Sequence, residues 1–204
     1  MPGCTVKRVS ERLVTKTGRI HLDERDALDL AAQLGLPAPR VHEAKAISDH
    51  EASLCMDFIQ GRTLKDAWPG MSDEEKRDVC AQLREILVTM RSAQTKTGII
   101  GSCSGGVVRD CRRYTEYTGG PFLDEGSFNG FILDLHNIMV KDNKITGLID
   151  WEYAGWYPEY WEYVKFFQRY SDNPDWKDYA EYIFPQTYDD ELLLTQAMSY
   201  WQFQ

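Results

Sequence analysis

The chain has no long apolar run. No stretch approaches eighteen consecutive apolar residues, so no membrane-spanning helix is predicted. The first ten residues also lack the apolar core of a signal peptide. We therefore expect a cytoplasmic protein with no membrane partner.

Cysteine is sparse, and its spacing fits no common framework. The five cysteines are Cys4, Cys55, Cys80, Cys103 and Cys111. Their number is odd and none forms a C-x-x-C pair, which argues against both a disulfide scaffold and a zinc site. We expect reduced, mostly structural thiols.

Positive charge is also in short supply. The 204 residues include 23 Lys and Arg against 32 Asp and Glu, for a formal net charge of −9. A nucleic-acid partner is therefore not expected, because such surfaces carry an excess of basic residues. The length suits one domain, or two small lobes that share a cleft.

A lysine and a glutamate stand out in the first part of the chain. Arg12 to Lys16 reads as a short strand, and the apolar spacing after Glu24 predicts a helix. In this arrangement the Glu24 carboxylate would hold the Lys16 ammonium and direct it at nucleotide phosphates. The alternative is a solvated lysine and a glutamate that interacts only with the helix dipole.

The middle of the chain gives one strong prediction and one weak one. Ser72 and Glu75 form a capping box before an apolar helical stripe, which predicts a helix to about Arg91. From Thr95 to Gly130 the chain holds eight of its fifteen glycines. This segment is expected to be mostly loop, with a short helix from Glu125.

A hairpin is predicted from Asn137 to Ile149, with its turn at Asp142-Asn143. Asn137 and Asp150 then fall at its open end on neighbouring strands. An amide oxygen and a carboxylate suit Mg²⁺, which shares its remaining coordination with water and substrate phosphates. The alternative is that Asn137 starts a turn and Asp150 caps the following loop.

Several motifs resemble one family. I-T-G-L-I-D-W-E-Y-A-G-W-Y-P-E-Y-W-E-Y-V-K, Ile145 to Lys165, resembles the metal-binding segment of the aminoglycoside phosphotransferase family, which is choline-kinase-like, and particularly of its fungal branch. M-D-F-I-Q-G-R-T-L-K-D-A-W at Met56 to Trp68 is similar to that family's hinge and following helix. L-V-T-K-T-G at Leu13 to Gly18 resembles its lysine strand.

The resemblance implies a fold, two cofactors and a set of site residues. The fold would be α+β, a truncated, two-lobed protein-kinase-like fold with a partial, strand-rich N-lobe at 1–59 and a helical C-lobe at 60–204. The cofactors would be ATP and Mg²⁺. Lys16 would contact the ATP phosphates, Glu24 would position that lysine, and the segment from Met56 to Phe58 would line the adenine pocket. Asp150 and Asn137 would be the metal ligands.

The catalytic loop departs from the family pattern H-G-D-L-x-x-x-N. Asp134, the candidate catalytic base, lies only three residues before Asn137 instead of five. Ile132 and Leu133 stand where the family has His and Gly. Either the loop is shortened and Asp134 still serves, or Phe131 to Leu135 ends a helix and the catalytic aspartate is absent. F-N-G-F-I-L-D-L reads as family sequence upstream of a missing segment, which favours the second interpretation.

The expected function is ATP- and Mg²⁺-dependent transfer of a phosphoryl group to a small-molecule hydroxyl. The alternative is a non-catalytic, degenerate kinase-like protein that binds a nucleotide or a partner, or an incomplete gene product. From Asp150 onward eleven acidic residues face three basic ones. This balance suits a cationic acceptor and equally suits a solvated helical surface. Nothing in the sequence indicates an oligomeric state.

Overall fold

The computed structural model describes residues 4–93, 99–112, 115–119, 122–123, 127–129 and 133–201. Its strands, in chain order, are β1 Cys4–Arg8, β2 Leu13–Gly18, β3 Val41–Ala46, β4 Ala52–Asp57, β5 Arg62–Thr63, β6 Ile99–Ser102, β7 Val108–Arg112, β8 Thr115–Gly119, β9 Phe122–Leu123, β10 Ser127–Asn129, β11 Ile138–Lys141, β12 Lys144–Leu148 and β13 Gly155–Tyr157. Its α-helices are α1 Asp23–Gln33, α2 Leu64–Ala67, α3 Asp73–Ser92, α4 Trp161–Gln168, α5 Ala180–Ile183 and α6 Asp189–Trp201.

The first four strands form one antiparallel sheet in the order β1-β2-β4-β3. Alternate residues of β4 are buried, namely Ala52, Leu54 and Met56, as expected for a strand with one face on the core. Helix α1 buries Ala27 and Leu28 in the same apolar cluster. This packing brings the start of α1 close to β2.

The predicted hairpin is confirmed. β11 and β12 pair antiparallel, and β5 extends them to a three-stranded sheet. Asp142 and Asn143 both have positive φ, 51° and 58°, as a two-residue turn of this kind requires. The Asn143 side-chain amide donates to Oε1 of Glu75 at 2.5 Å, so the turn is docked on the first turn of α3.

The capping box that opens α3 is also confirmed. Ser72 Oγ accepts from the Glu75 backbone N–H, and Glu75 Oε2 accepts from the Ser72 backbone N–H. The helix extends to Ser92, one residue past the expected end. Before this helix, the Trp68 ring packs edge-on against the rings of Trp176 and Tyr179. None of the described helices is long and apolar enough to cross a bilayer.

The segment between Thr95 and Gly130 differs from the sequence-based expectation. Its described parts include five short strands rather than loop, and β10-β13-β6-β9 form a four-stranded sheet. β6 and β10 both pair with β13, which lies far along the chain, so local periodicity could not reveal them. The expectation that this segment is mostly loop is therefore wrong for its described parts. The helix predicted from Glu125 begins outside the described residues, and the described residues Ser127–Asn129 form strand β10 instead.

Gly61, directly before β5, allows a test of how closely the chain packs against β11. Gly61 has φ +135°, and a Cβ there would lie 2.5 Å from the carbonyl oxygen of Val140. We expect Gly61→Ala to lower the free energy of unfolding by about 2 kcal/mol or more, because both the backbone and the β11 carbonyl must shift. Urea unfolding followed by circular dichroism measures the change.

The matched control is Gly70→Ala, since a Cβ at Gly70 meets nothing within 4 Å. Its free energy of unfolding should stay within about 0.5 kcal/mol of the parent. Equal losses for the two variants would contradict the close approach of Gly61 to β11.

Candidate functional site

Lys16 is the central charged residue of the site. It lies on β2, between β1 and β4, and is only 8% exposed. Its Nζ lies 2.8 Å from Oε2 of Glu24, which is 1% exposed in the first turn of α1. The sequence predicted this pair, and the structure brings the two residues together.

The ammonium has a second partner from the far end of the chain. Lys16 Nζ lies 2.9 Å from Oδ1 of Asp150, just after β12, and 3.7 Å from Oε2 of buried Glu152. The Trp151 backbone N–H donates to the other oxygen of Glu24 at 3.2 Å. Asp150 has φ +66°, an uncommon conformation for a residue other than glycine, which is often found at functional sites.

Among the described side chains, one ammonium thus faces three carboxylates. Burial alone would lower the pKa of Lys16, but attraction to Glu24 and Asp150 outweighs burial and raises that pKa. Burial raises the pKa of Glu24, and the attraction of Lys16 offsets this only in part. Lys16 therefore stays charged, and the surrounding negative charge favours a further cation.

A cavity of about 420 Å³ opens beside this cluster. The predicted residues that line it are Lys16, Glu24, Met56, Phe58 and Asp150. Its other lining residues are Cys4, Val6, Val14, Pro39, Asp57, Ile59, Met139, Ile149 and Glu152, of which only Asp57 falls in the segment that the sequence analysis assigned to the pocket. Most of them are apolar and come from two separate sheets, so only the tertiary structure assembles this wall.

Glu152 is the notable residue that the sequence reasoning missed. It lies within the quoted D-W-E motif, two residues after Asp150, and its carboxylate lies 3.7 Å from the Lys16 ammonium.

Asn137 lies next to Asp150 but not on the cavity wall. The Asn137 carbonyl accepts a hydrogen bond from the Ile149 N–H at 2.9 Å, directly before Asp150. The described residues contain no group of three His, Cys, Asp or Glu side chains that could hold a metal by itself. One carboxylate and one amide fit Mg²⁺ that is completed by substrate phosphates, because this ion commonly uses one or two protein oxygens.

Asp134 lies in a tight turn without glycine or proline. Its carbonyl accepts from the Asn137 N–H at 2.8 Å, and its Oδ1 lies 2.7 Å from Nδ1 of His136. Leu133 and Leu135 are each 4% exposed and anchor the segment in the core. Asp134 is not among the residues that line the cavity.

The described part of this segment is not the end of a helix. Leu133 and Asp134 have no regular secondary structure, and Leu135 to Asn137 form a turn. Before the segment, the nearest described element is strand β10. Phe131 and Ile132 lie outside the described residues. The structure therefore lends no support to a helix over Leu133 to Leu135.

Comparisons with known proteins point to one family. Residues 133–191, which include Asp134, Asn137 and Asp150, match the model of the phosphotransferase enzyme family. No curated protein matches the chain.

Solved structures of similar fold are aminoglycoside phosphotransferases. ADP-bound APH(2'')-Ib aligns with a TM-score of 0.62 and 13% identity, over 90% of this chain and 73% of that one. The GDP complex of aminoglycoside 2'-phosphotransferase-IIIa aligns with a TM-score of 0.60 and 15% identity, over 90% and 78%. The aminoglycoside-3'-phosphotransferase of type VIII aligns with a TM-score of 0.57 and 15% identity, over 90% and 85%.

These matches confirm the resemblance to the aminoglycoside phosphotransferase family. They also confirm the α+β, protein-kinase-like fold. The comparisons do not bear on the fungal branch.

The buried ion pair predicts a large effect of removing its cation. In Lys16→Met, Glu24 keeps a buried carboxylate without its 2.8 Å partner. We expect the free energy of unfolding near neutral pH to fall by about 3 kcal/mol. Because burial raises the pKa of Glu24, the folded variant binds a proton more readily than the unfolded chain, so the deficit should shrink as the pH falls.

Urea unfolding at neutral and at mildly acidic pH measures this deficit. Lys45→Met is the matched control, because Lys45 forms an exposed pair with Glu43 and its loss should cost at most about 0.5 kcal/mol. A deficit for Lys16→Met that grows as the pH falls would contradict the assignment.

Proposed function

We propose that the chain transfers the γ-phosphoryl group of ATP to a hydroxyl group of a small molecule. The observation that carries this proposal is the contact of one buried ammonium with both Glu24 and Asp150 on the wall of a largely apolar cavity. A fixed cation beside an apolar slot suits a nucleotide, because the base needs apolar cover and the phosphates need positive charge. A cytoplasmic location, where ATP is abundant, is part of the proposal.

The base would lie against the part of the cavity formed by Met56 and Phe58. The other walls there are Val6 and Val14 of the first sheet and Met139 of β11, which supply apolar surface. Solved structures of similar fold contain ADP or GDP, which supports nucleotide use. Glu24 would keep the Lys16 ammonium directed at the phosphates.

Asp150 and Asn137 would hold Mg²⁺, which neutralises the charge that develops on the phosphates during transfer. The carboxylates of Glu24 and Asp150 both lie within 2.9 Å of the one Lys16 ammonium, so a bound cation would offset part of their negative charge. Lys16 would then exchange part of its contact with Asp150 for contact with the phosphates.

Asp134 would act as the general base. The acceptor oxygen attacks the γ-phosphorus, the bond from that phosphorus to the β–γ bridging oxygen breaks, and ADP leaves. The hydroxyl proton passes to the Asp134 carboxylate. Such catalysis consists mainly of positioning and charge stabilisation, so each residue acts through its placement.

The acceptor is proposed to be a hydroxyl-bearing small molecule. One solved structure of similar fold is a ternary complex of APH(4)-Ia with ADP and hygromycin B, and it supports this class. Several acidic residues after Asp150 already have basic partners: Asp172 pairs with Lys65 and Asp175 with Lys76. A cationic acceptor therefore remains a narrower proposal that composition alone does not support.

Nucleotide binding without transfer is the second candidate. It is favoured by the position of Asp134, which lies off the cavity wall and already contacts His136. Binding and turnover therefore need separate tests.

The binding test is calorimetric titration of ATP with and without Mg²⁺. We expect saturable binding to the parent protein and a loss of affinity of about a hundredfold in Asp150→Asn, because the metal loses a charged ligand. Asp49→Asn, a change at an exposed turn residue, is the matched control and should bind as the parent does. Absence of binding by a folded parent protein would overturn the proposal.

The turnover test is release of ADP with Asp134→Asn. We expect Asp134→Asn to bind Mg²⁺ and ATP with the affinity of the parent but to turn over about a hundredfold more slowly, as general bases commonly contribute at least this much. Coupled measurement of ADP release, with water or with a panel of hydroxyl compounds as acceptor, gives the rate. A parent protein that binds but never releases ADP would favour the second candidate.

A further inference from the structure

We propose that His136 is a positioning residue that fixes the carboxylate of Asp134 in the shortened catalytic loop. The inference rests on the proposed function, in which Asp134 is the general base. The observation behind it is that His136 contacts one Asp134 oxygen twice.

Both contacts are made with the same oxygen, Oδ1. The His136 backbone N–H donates to it at 3.1 Å, and Nδ1 of the ring lies 2.7 Å from it. An ionised carboxylate can only accept hydrogen bonds, so Nδ1 carries the proton. Two donors on one oxygen restrict rotation of the carboxylate, because turning it would break both bonds.

The second oxygen, Oδ2, remains available to a substrate hydroxyl. Its nearest described cation is Arg169, whose Nη1 lies 3.9 Å away, beyond hydrogen-bond distance. Arg169 therefore supplies favourable charge without occupying the position that the acceptor proton would take. The two oxygens of Asp134 thus have different roles, one held and one open.

The exposure of the loop residues bears on how the Asp134 carboxylate is held. Leu133 and Leu135 are buried, whereas Asp134 is partly exposed and His136 is exposed. The His136 side chain is 55% exposed and gains little from burial. Its hydrogen bond to Asp134 therefore sets its orientation, and the same bond orders the aspartate.

A kinetic test compares two substitutions of His136. Asn carries a side-chain N–H close to the place of Nδ1, whereas Leu has no donor. With Mg²⁺ and ATP and with water as acceptor, we expect His136→Leu to lower kcat about tenfold, because the base is misplaced. The KM for ATP should stay within about twofold, since His136 is not on the cavity wall. His136→Asn should recover most of the loss.

The control is His50→Leu, a change at an exposed histidine in the turn after β3, and it should leave kcat unchanged. A parent-like kcat in His136→Leu, or an equal loss in His136→Asn and His136→Leu, would overturn the proposal.

A second measurement does not depend on turnover. The chain has four histidines, and ¹⁵N-histidine labelling with long-range ¹H–¹⁵N spectra distinguishes the two ring tautomers of each one. We expect His136 to carry its proton on Nδ1 and to lose this preference in Asp134→Ala. No change in Asp134→Ala would overturn the positioning contact. If the parent protein binds ATP but releases no ADP with water or with any hydroxyl compound of the panel, the proposed function fails while these spectra still decide the contact.

Discussion

A single buried ammonium joins the parts of this protein that lie farthest apart in sequence. Lys16 on β2 contacts Glu24 at the start of α1 and Asp150 after β12, within 2.9 Å in each case. Buried charges are costly unless they are paired, so the contact between the buried Lys16 and Glu24 is not easily given up. The Trp151 N–H adds a third link by donating to Glu24. The cavity beside Lys16 keeps its shape because these contacts tie the first sheet to the hairpin.

The loop that carries Asp134 is held in place by a different set of contacts. Leu133 and Leu135 are buried, and the Lys65 N–H donates to the Leu135 carbonyl at 3.0 Å. The backbone is therefore held by apolar anchors and by backbone hydrogen bonds, while the Asp134 side chain is in contact with His136. Apolar anchoring sets where the loop lies, and polar contacts set which way its carboxylate faces.

Many acidic residues of the second half of the chain have partners within the protein, although the composition alone suggested a cationic acceptor. Asp150 and Glu152 lie around Lys16, Asp175 contacts both Lys76 and the Trp68 indole N–H, and Glu159 lies near Arg91. These acids form ion pairs and hydrogen bonds within the protein, so their number says little about an acceptor. Net charge measures the whole field of a protein, whereas recognition depends on the groups at the site.

The sequence by itself determined the features that rest on neighbouring residues. Capping by Ser72 and Glu75 and the turn at Asp142-Asn143 follow from hydrogen bonds and backbone angles within a few residues. The strand, helix and hairpin patterns, together with the motif resemblance, singled out Lys16, Glu24 and Asp150 as candidate site residues. Only the tertiary structure decided the β10-β13-β6-β9 sheet, the place of Glu152 beside Lys16, and the cavity wall. Those features depend on contacts between residues that are distant in the chain. Local periodicity does not indicate which distant strand pairs with a given strand.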